Sequence, residues 1–214
     1  PTFTRNSIAY KSDGSQVAVN QPRFEQGQFG KAIMLEEGTT NIAPNPLLID
    51  SNADNVPDLW SITDPPGGSH SLDTSKTWGG RPTWKFVYPV GAAFGGLYGP
   101  SVPFDRTKDC IVRVLVACEG ALTTGRRTPL WIHIYNGGGE RVADLGFTND
   151  PGGTHDFLWV EKDIPANSTP EDSAYIIFQR PNWAAGGTFW IAAVQIEQKP
   201  YATSFIDGTR AAET

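Results

Sequence analysis

The stretch Cys110-Ile-Val-Arg-Val-Leu-Val-Ala-Cys118 decides the fold class, because most of its residues favour an extended strand. Side chains alternate between the two faces of a strand, so we expect Val112, Val114 and Val116 to point into a core and Arg113 away from it. The two cysteines lie about 26 Å apart if the strand is straight, which is too far for a disulfide. We predict free, buried thiols, which suit assembly inside a cell at least as well as maturation outside it.

Further strand candidates follow along the chain at the spacing typical of a β-sandwich. Together with the first stretch, the segments are 82–88, 110–118, 129–135, 156–164, 174–180 and 187–197. The 23 glycines, 17 prolines and 11% aromatic residues suit short strands joined by tight turns, and no helix longer than about two turns is indicated. The sequence therefore predicts an all-β protein built as a sandwich.

The chain of 214 residues divides into three parts. Residues 1–43 alternate short apolar runs with turn signals such as Asp13-Gly14, which predicts a hairpin-rich N-terminal extension. Residues 44–199 contain the strand series and form the predicted core domain. Residues 200–214 are again strand-like, so we expect this C-terminal tail to return and pair with the extension.

Charge and hydropathy exclude two classes of partner. The net charge is −6, and the longest cluster of basic residues is Arg126-Arg127, so the electrostatic footprint of a nucleic-acid-binding protein is missing. No apolar run approaches the ~20 residues of a membrane helix, and Pro1-Thr2-Phe3-Thr4-Arg5 lacks the features of a signal peptide. We expect no nucleic-acid partner and no insertion into a membrane.

The segment 50–58 has the oxygen pattern of a loop that wraps a hard cation. Side-chain oxygens stand at positions one, three, five and nine, and a backbone carbonyl is available at position seven. These positions are Asp50, Asn52, Asp54, Asp58 and, for the carbonyl, Val56. A structural calcium ion is one interpretation. The other is a plain turn in which the Asp and Asn side chains accept hydrogen bonds from backbone amides.

The strand Pro129-Leu-Trp131-Ile-His133-Ile-Tyr135-Asn136 carries the strongest functional signal. Its aliphatic residues alternate with Trp131, His133 and Tyr135, so an aromatic and polar row faces away from the core. Sugar rings have apolar C–H faces edged with hydroxyl groups, which suit stacking on flat aromatic rings beside planar polar groups. We therefore predict that this row binds carbohydrate.

Neighbouring strands could extend the site. If the strands share one sheet, Arg113, Tyr175 and Gln179 converge with the row on the same face. Trp78 precedes Gly79-Gly80, and Trp183 lies in Arg180-Pro-Asn-Trp-Ala-Ala-Gly-Gly187. Both are predicted loops, where an exposed indole suits a binding platform at the rim. Two other interpretations of the face remain open, namely cover by the extension or tail and a contact between subunits.

Three stretches carry a family resemblance. Asn45-Pro-Leu-Leu-Ile-Asp-Ser-Asn-Ala-Asp-Asn-Val-Pro-Asp-Leu-Trp60 opens the core domain, and Gly187-Thr-Phe-Trp-Ile-Ala-Ala-Val-Gln-Ile-Glu197 closes it. Both resemble segments of galactose-binding-like carbohydrate-binding modules. The extension, from Phe3, and the tail, Tyr201-Ala-Thr-Ser-Phe-Ile206, resemble the frame around such modules in bacteriophage tail and other virion proteins.

The resemblance implies a jelly-roll sandwich, glycan binding and, in many members, a structural calcium. One position departs from the family, whose closing strand usually carries an aspartate after its Ile, often a calcium ligand. Here Ala192-Ala193 fill that place. The resemblance further implies a protein of the virion surface or the extracellular space, with homo-oligomeric display as one way to strengthen weak single sugar sites.

Two alternatives accompany the prediction of a non-catalytic glycan-binding module. One is a purely structural virion decoration or connector protein. The other is a polysaccharide lyase, because jelly-roll lyases use residue types such as Arg113, His133, Tyr135 and Gln179. The lyase strand motif is missing, however, and so are the paired carboxylates of a glycosidase and the usual nucleophile, metal and phosphate motifs. We therefore expect no enzymatic activity.

Overall fold

A computed structural model describes residues 5, 8–27, 30–34, 38–64, 66–91, 96–120, 131–136, 141–146, 153–166, 171–179 and 186–210. At 131–136, 141–146 and 171–179 the description concerns the backbone and its pairing. The strands are β1 (Ala9–Tyr10), β2 (Gln16–Val17), β3 (Arg23–Gly27), β4 (Gly30–Met34), β5 (Thr39–Thr40), β6 (Ser61–Thr63), β7 (Ser69–Trp78), β8 (Arg81–Tyr88), β9 (Gly96–Asp105), β10 (Cys110–Glu119), β11 (Trp131–Asn136), β12 (Arg141–Gly146), β13 (His155–Ile164), β14 (Glu171–Gln179), β15 (Gly187–Glu197) and β16 (Thr209–Arg210). None of the described segments forms a helix long and apolar enough to cross a membrane.

Two five-stranded sheets form the body of the protein. The first sheet has the strand order β13-β10-β15-β8-β7, and the second has the order β12-β11-β14-β9-β6. Their strand pairs are antiparallel. One apolar core contains residues from both sheets, which is the arrangement of a sandwich. The prediction of an all-β jelly-roll sandwich is therefore confirmed.

The alternation along β10 sets one side of this core. Val112, Val114 and Val116 are at most 1% exposed, as predicted, and they belong to the same cluster as Leu97 and Val102 of the second sheet. Full burial of each valine side chain stabilises the fold by roughly 1.5–3 kcal/mol. The strand that decides the fold class is thus an inner strand of the first sheet, between β13 and β15.

Aromatic residues complete the core. Trp84 is 1% exposed and donates its indole N–H to the carbonyl oxygen of Leu48 over 2.8 Å. Phe86 and Phe189 stack with ring centroids 4.8 Å apart. Cys110 lies in the same cluster as a free thiol, as predicted, and burial raises its pKa to about 12.

The extension and the tail both lie against the outer face of the first sheet. Tyr10 of the extension and Phe205 of the tail have ring centroids 5.0 Å apart. Both pack in a second apolar cluster that includes Leu115 and Ala193 of the sheet. Pairing of β16 with β5 joins the two segments directly, with Thr209 opposite Thr40.

A buried carboxylate fixes this arrangement. Glu197, which is fully buried, accepts hydrogen bonds from the hydroxyl groups of Thr39 and Thr203, each over 2.6 Å. It also accepts from the backbone N–H of Thr203 and from the side-chain amide of Gln195. A buried charge is tolerated when it is hydrogen-bonded in this way. The end of β15 therefore holds the extension and the tail together.

Candidate functional site

The second sheet brings the two predicted sugar-facing strands side by side. β11 pairs with β14 in antiparallel register, so that His133 lies opposite Tyr175 and Trp131 lies opposite Ile177. Residues opposite each other in such a pair share a face of the sheet. The backbone therefore places Trp131, His133, Tyr135 and Tyr175 on one face.

This face is the outer one. Phe178 of β14 lies opposite Leu97 of β9, and Leu97 is buried in the core. Because positions alternate along β14, Tyr175 and Gln179 belong to the opposite face. We call the face defined by Trp131, His133, Tyr135, Tyr175 and Gln179 the β11–β14 face.

Arg113 does not join the β11–β14 face, because β10 belongs to the first sheet. Its Nη1 donates to the carbonyl oxygen of Thr203 over 2.6 Å, and its Nε lies 3.6 Å from a carboxylate oxygen of Glu161. The guanidinium lies 4.4 Å from the ring centre of Trp159. The expected convergence of Arg113 with the aromatic row is therefore wrong. β10 and β11 are consecutive along the chain, but they lie in different sheets.

Trp78 also lies away from the β11–β14 face. It is the last residue of β7, it is 5% exposed, and its ring packs edge-on against Phe205 and Trp159. The two glycines that follow make the turn into β8, with positive φ at both Gly79 and Gly80. The expectation of an exposed platform at Trp78 is wrong, because the extension and tail cover the indole.

Among the described residues, no further tryptophan of the first sheet joins the β11–β14 face. Trp183 lies outside the described residues. Trp190 is 4% exposed and donates its indole N–H to a carboxylate oxygen of Asp73 over 2.8 Å. Hydrogen bonds from the Ser75 hydroxyl group and from this indole hold the pKa of Asp73 well below its usual range. Trp159 stacks on Phe205 of the tail.

The loop 50–58 has its side-chain oxygens directed at backbone amides. Asp50 accepts hydrogen bonds from the amides of Asp54 and Asn55, and Asn52 accepts a further one from Asp54. Asp58 accepts from the amide and hydroxyl groups of Ser51. These are the bonds of the plain-turn interpretation.

The fit of this loop to calcium depends on whether its carboxylates converge. Among the described residues, no group of three or more His, Cys, Asp or Glu side chains is arranged to hold a metal ion. Asp54 also accepts bonds from the amide of Val56 and from the side chain of Asn52, so its oxygens already serve the turn. The loop as described does not form a cation shell, and calcium binding stays a prediction.

His70 supports this loop, and no sequence pattern predicts that role. Its Nδ1 lies 2.8 Å from a carboxylate oxygen of Asp64, and its Nε2 lies 3.1 Å from the carbonyl oxygen of Asn55. The imidazole thus bridges β7 to the loop. A histidine near the start of a polar strand has no sequence pattern that distinguishes it from a solvent-exposed one.

Solved structures with similar folds include carbohydrate-active proteins. The CBM22-1 xylan-binding domain of Paenibacillus barcinonensis Xyn10C is 8% identical over 78% of this chain and 99% of that one, with a TM-score of 0.48. Tailspike protein 4 of bacteriophage CBA120 is 12% identical over 73% of this chain and 21% of that one, with a TM-score of 0.46. The CBM22-1 and GH10 modules of Clostridium thermocellum xylanase 10B are 11% identical over 80% of this chain and 30% of that one, with a TM-score of 0.44. The chain thus spans less than a third of the xylanase and tailspike structures.

Likeness at this level of identity concerns the fold alone. No family profile matches the sequence, and no curated protein matches it either.

Proposed function

We propose that the protein is a non-catalytic carbohydrate-binding module whose site is the β11–β14 face. The observation that carries this proposal is the register that puts the Trp131, His133 and Tyr135 row beside Tyr175. Aromatic residues on one face of a sheet suit the apolar face of a sugar, and His133 and Gln179 add polar groups for its hydroxyls. The ligand we expect is a polysaccharide or a cell-surface glycan.

The place of the extension and tail supports this proposal. In one competing interpretation, the extension or the tail covers the row formed by Trp131, His133 and Tyr135. Their described parts instead pack on the first sheet, through Tyr10 and Phe205 against Leu115 and Ala193. The described residues of the extension and tail therefore do not support that interpretation.

The chemistry of the proposed face favours binding over catalysis. The five residues supply rings, an imidazole and an amide, and Asp144 of β12 lies opposite His133 on the same face. Glycoside hydrolysis needs two carboxylates opposed across the scissile bond. We further propose that the module works outside the cell or on a virion, where display of several copies would strengthen a weak single site.

A glycan array followed by affinity electrophoresis in the retained polysaccharide tests the proposal. Trp131→Ala and Tyr135→Ala should each abolish most of the retardation, because each removes a stacking surface. Tyr201→Ala is the matched control, since Tyr201 is 51% exposed on the tail. Retardation that survives both variants would put the glycan site outside the β11–β14 face, and no retention on any glycan would favour the structural alternative.

A further inference from the structure

A second concave surface lies within the N-terminal extension, away from the β11–β14 face. It is a groove of about 330 Å³, at the small end of the volumes typical of ligand sites. Its described lining residues are Lys11, Gln16, Val17, Ala18, Gln21, Pro22, Phe24 and Lys31. We call it the extension groove.

The floor of the extension groove is held by internal hydrogen bonds. Arg5, which is 1% exposed, donates to the carbonyl oxygens of Val17 and Ala18. The backbone N–H of Gln21 donates to the carbonyl oxygen of Ala18 over 3.2 Å, which closes a turn. A floor fixed in this way loses little conformational freedom when a ligand binds.

In the lining of the extension groove, the ammonium group of Lys31 lies over the partly exposed ring of Phe24. In the β3–β4 hairpin Gln26 lies opposite Lys31 and Phe24 lies opposite Ile33, so Phe24 and Lys31 share a face. The Lys31 ammonium lies 5.4 Å from the centre of the Phe24 ring. Phe24 remains 43% exposed, which leaves part of its ring to a ligand.

The charge of the groove is of one sign. Its described lining contains two lysines and no Asp or Glu, in a chain whose net charge is −6. Hydrogen bonds from Ser15 are the main reason that the pKa of Asp13 is lowered, and the charge of Lys11 adds to this effect, so Asp13 partly balances Lys11. No described carboxylate lies within ion-pair distance of either lysine. Lys31 is therefore the stronger anchor for an anion.

Planar amides complete the set of groups. Gln16 donates its side-chain N–H to the hydroxyl group of Tyr10 over 3.2 Å. Gln21 belongs to the same lining and is exposed. The neighbouring groove, of about 430 Å³, differs because it contains Glu25, whose carboxylate accepts bonds from Ser12.

We propose that the extension groove binds a sugar residue that carries a carboxylate, such as a uronate. The Lys31 and Lys11 ammonium groups pair with the carboxylate, the Phe24 ring packs against the C–H face of the sugar, and the two glutamine amides bond its hydroxyls. This site is independent of the β11–β14 face, so either one can bind its ligand without the other.

Calorimetry of the full chain at low salt, with tetragalacturonate and its fully methyl-esterified form as probes, tests this site. The ester keeps the rings and removes the charges. We expect the acid to bind at least tenfold more tightly than the ester, and Lys31→Gln to weaken binding of the acid about tenfold, the loss of one hydrogen bond to a charged group. Lys11→Gln should have a smaller effect.

Lys108→Gln is the matched control, because the Lys108 side chain is 63% exposed on the turn before β10 and pairs with Asp105. It should leave the affinity unchanged. Equal binding of acid and ester, absence of binding by the acid, or equal losses in Lys31→Gln and Lys108→Gln would overturn the proposal. Thermal melts of each variant check that the fold is retained, which we expect because Lys31 and Lys108 are exposed and Lys11 is partly exposed.

Discussion

Arg113 of β10 donates from its Nη1 to the carbonyl oxygen of Thr203 over 2.6 Å, which ties the middle of the first sheet to the C-terminal tail. The guanidinium also stacks on Trp159, so one side chain holds both a polar and an aromatic contact. An arginine that the sequence pattern placed in a sugar site is thus an anchor for the tail.

Arg113→Ala should therefore lower the free energy of unfolding and leave glycan binding intact. The loss should be about 1–3 kcal/mol, because a buried carbonyl loses a charged donor and the Trp159 ring loses its neighbour. Urea denaturation monitored by tryptophan fluorescence measures it. Unchanged stability together with lost glycan binding would return Arg113 to the ligand site.

Glu197→Gln should be more damaging than an exposed charge change. An amide has one acceptor oxygen, so it cannot accept all of the bonds that Thr39, Thr203 and Gln195 now donate, and a buried donor is left unsatisfied. We expect a loss of about 2–3 kcal/mol in the free energy of unfolding. Glu161→Gln, at a side chain that is 45% exposed, is the control and should cost less than about 1 kcal/mol. Similar losses in the two variants would contradict the role of Glu197.

Asp73 should make the protein sensitive to acid. Its pKa is lowered in the fold, so its contribution to stability is present above the unfolded pKa, near 3.9, and is lost as the pH falls toward the folded pKa. Asp73→Asn should flatten the fall in melting temperature below about pH 4, where the Asp73 carboxylate of the unfolded chain takes up its proton. Asp207→Asn is a useful contrast, because burial raises the pKa of Asp207. Identical pH profiles for wild type and Asp73→Asn would refute this assignment.

The melting temperature can show whether the loop 50–58 is stabilised by the hydrogen bonds of a plain turn or by a bound calcium ion. If the amide caps hold the loop, Asp50→Ala lowers the melting temperature equally in excess chelator and in excess calcium, since the bonds to Asp54 and Asn55 need no ion. We expect this result. A wild-type melting temperature that falls on chelation, with no further loss in Asp50→Ala, would instead support the calcium interpretation.

The sequence predicted strands where apolar alternation is strong. β10, with Val112, Val114 and Val116, is the clearest case, and β8, β11, β13, β14 and β15 lie within a few residues of their predicted bounds. β7 was not predicted, because Ser69–Trp78 is polar and half-exposed along most of its length. β9 was not predicted either, since its glycines and prolines resemble a loop.

The site was only partly predictable for a related reason. Alternation along one strand shows which residues share a face, and it placed Trp131, His133 and Tyr135 together. It does not show which strands become neighbours, because hydrogen bonds join segments far apart in the chain, as β14 joins β9. Arg113 was therefore assigned to the wrong sheet, and Trp78 was expected in solvent although Phe205, more than a hundred residues later, covers it.

Mapping a bound oligosaccharide by backbone amide chemical shifts tests the central claim most directly. Titration with a fragment of the glycan identified on the array should shift the amides of β11 and β14, around His133 and Tyr175, which lie opposite each other. The amides of β10 and of the tail near Thr203 should stay unchanged. Shifts confined to β10 and the tail at saturation would contradict a glycan site on the β11–β14 face.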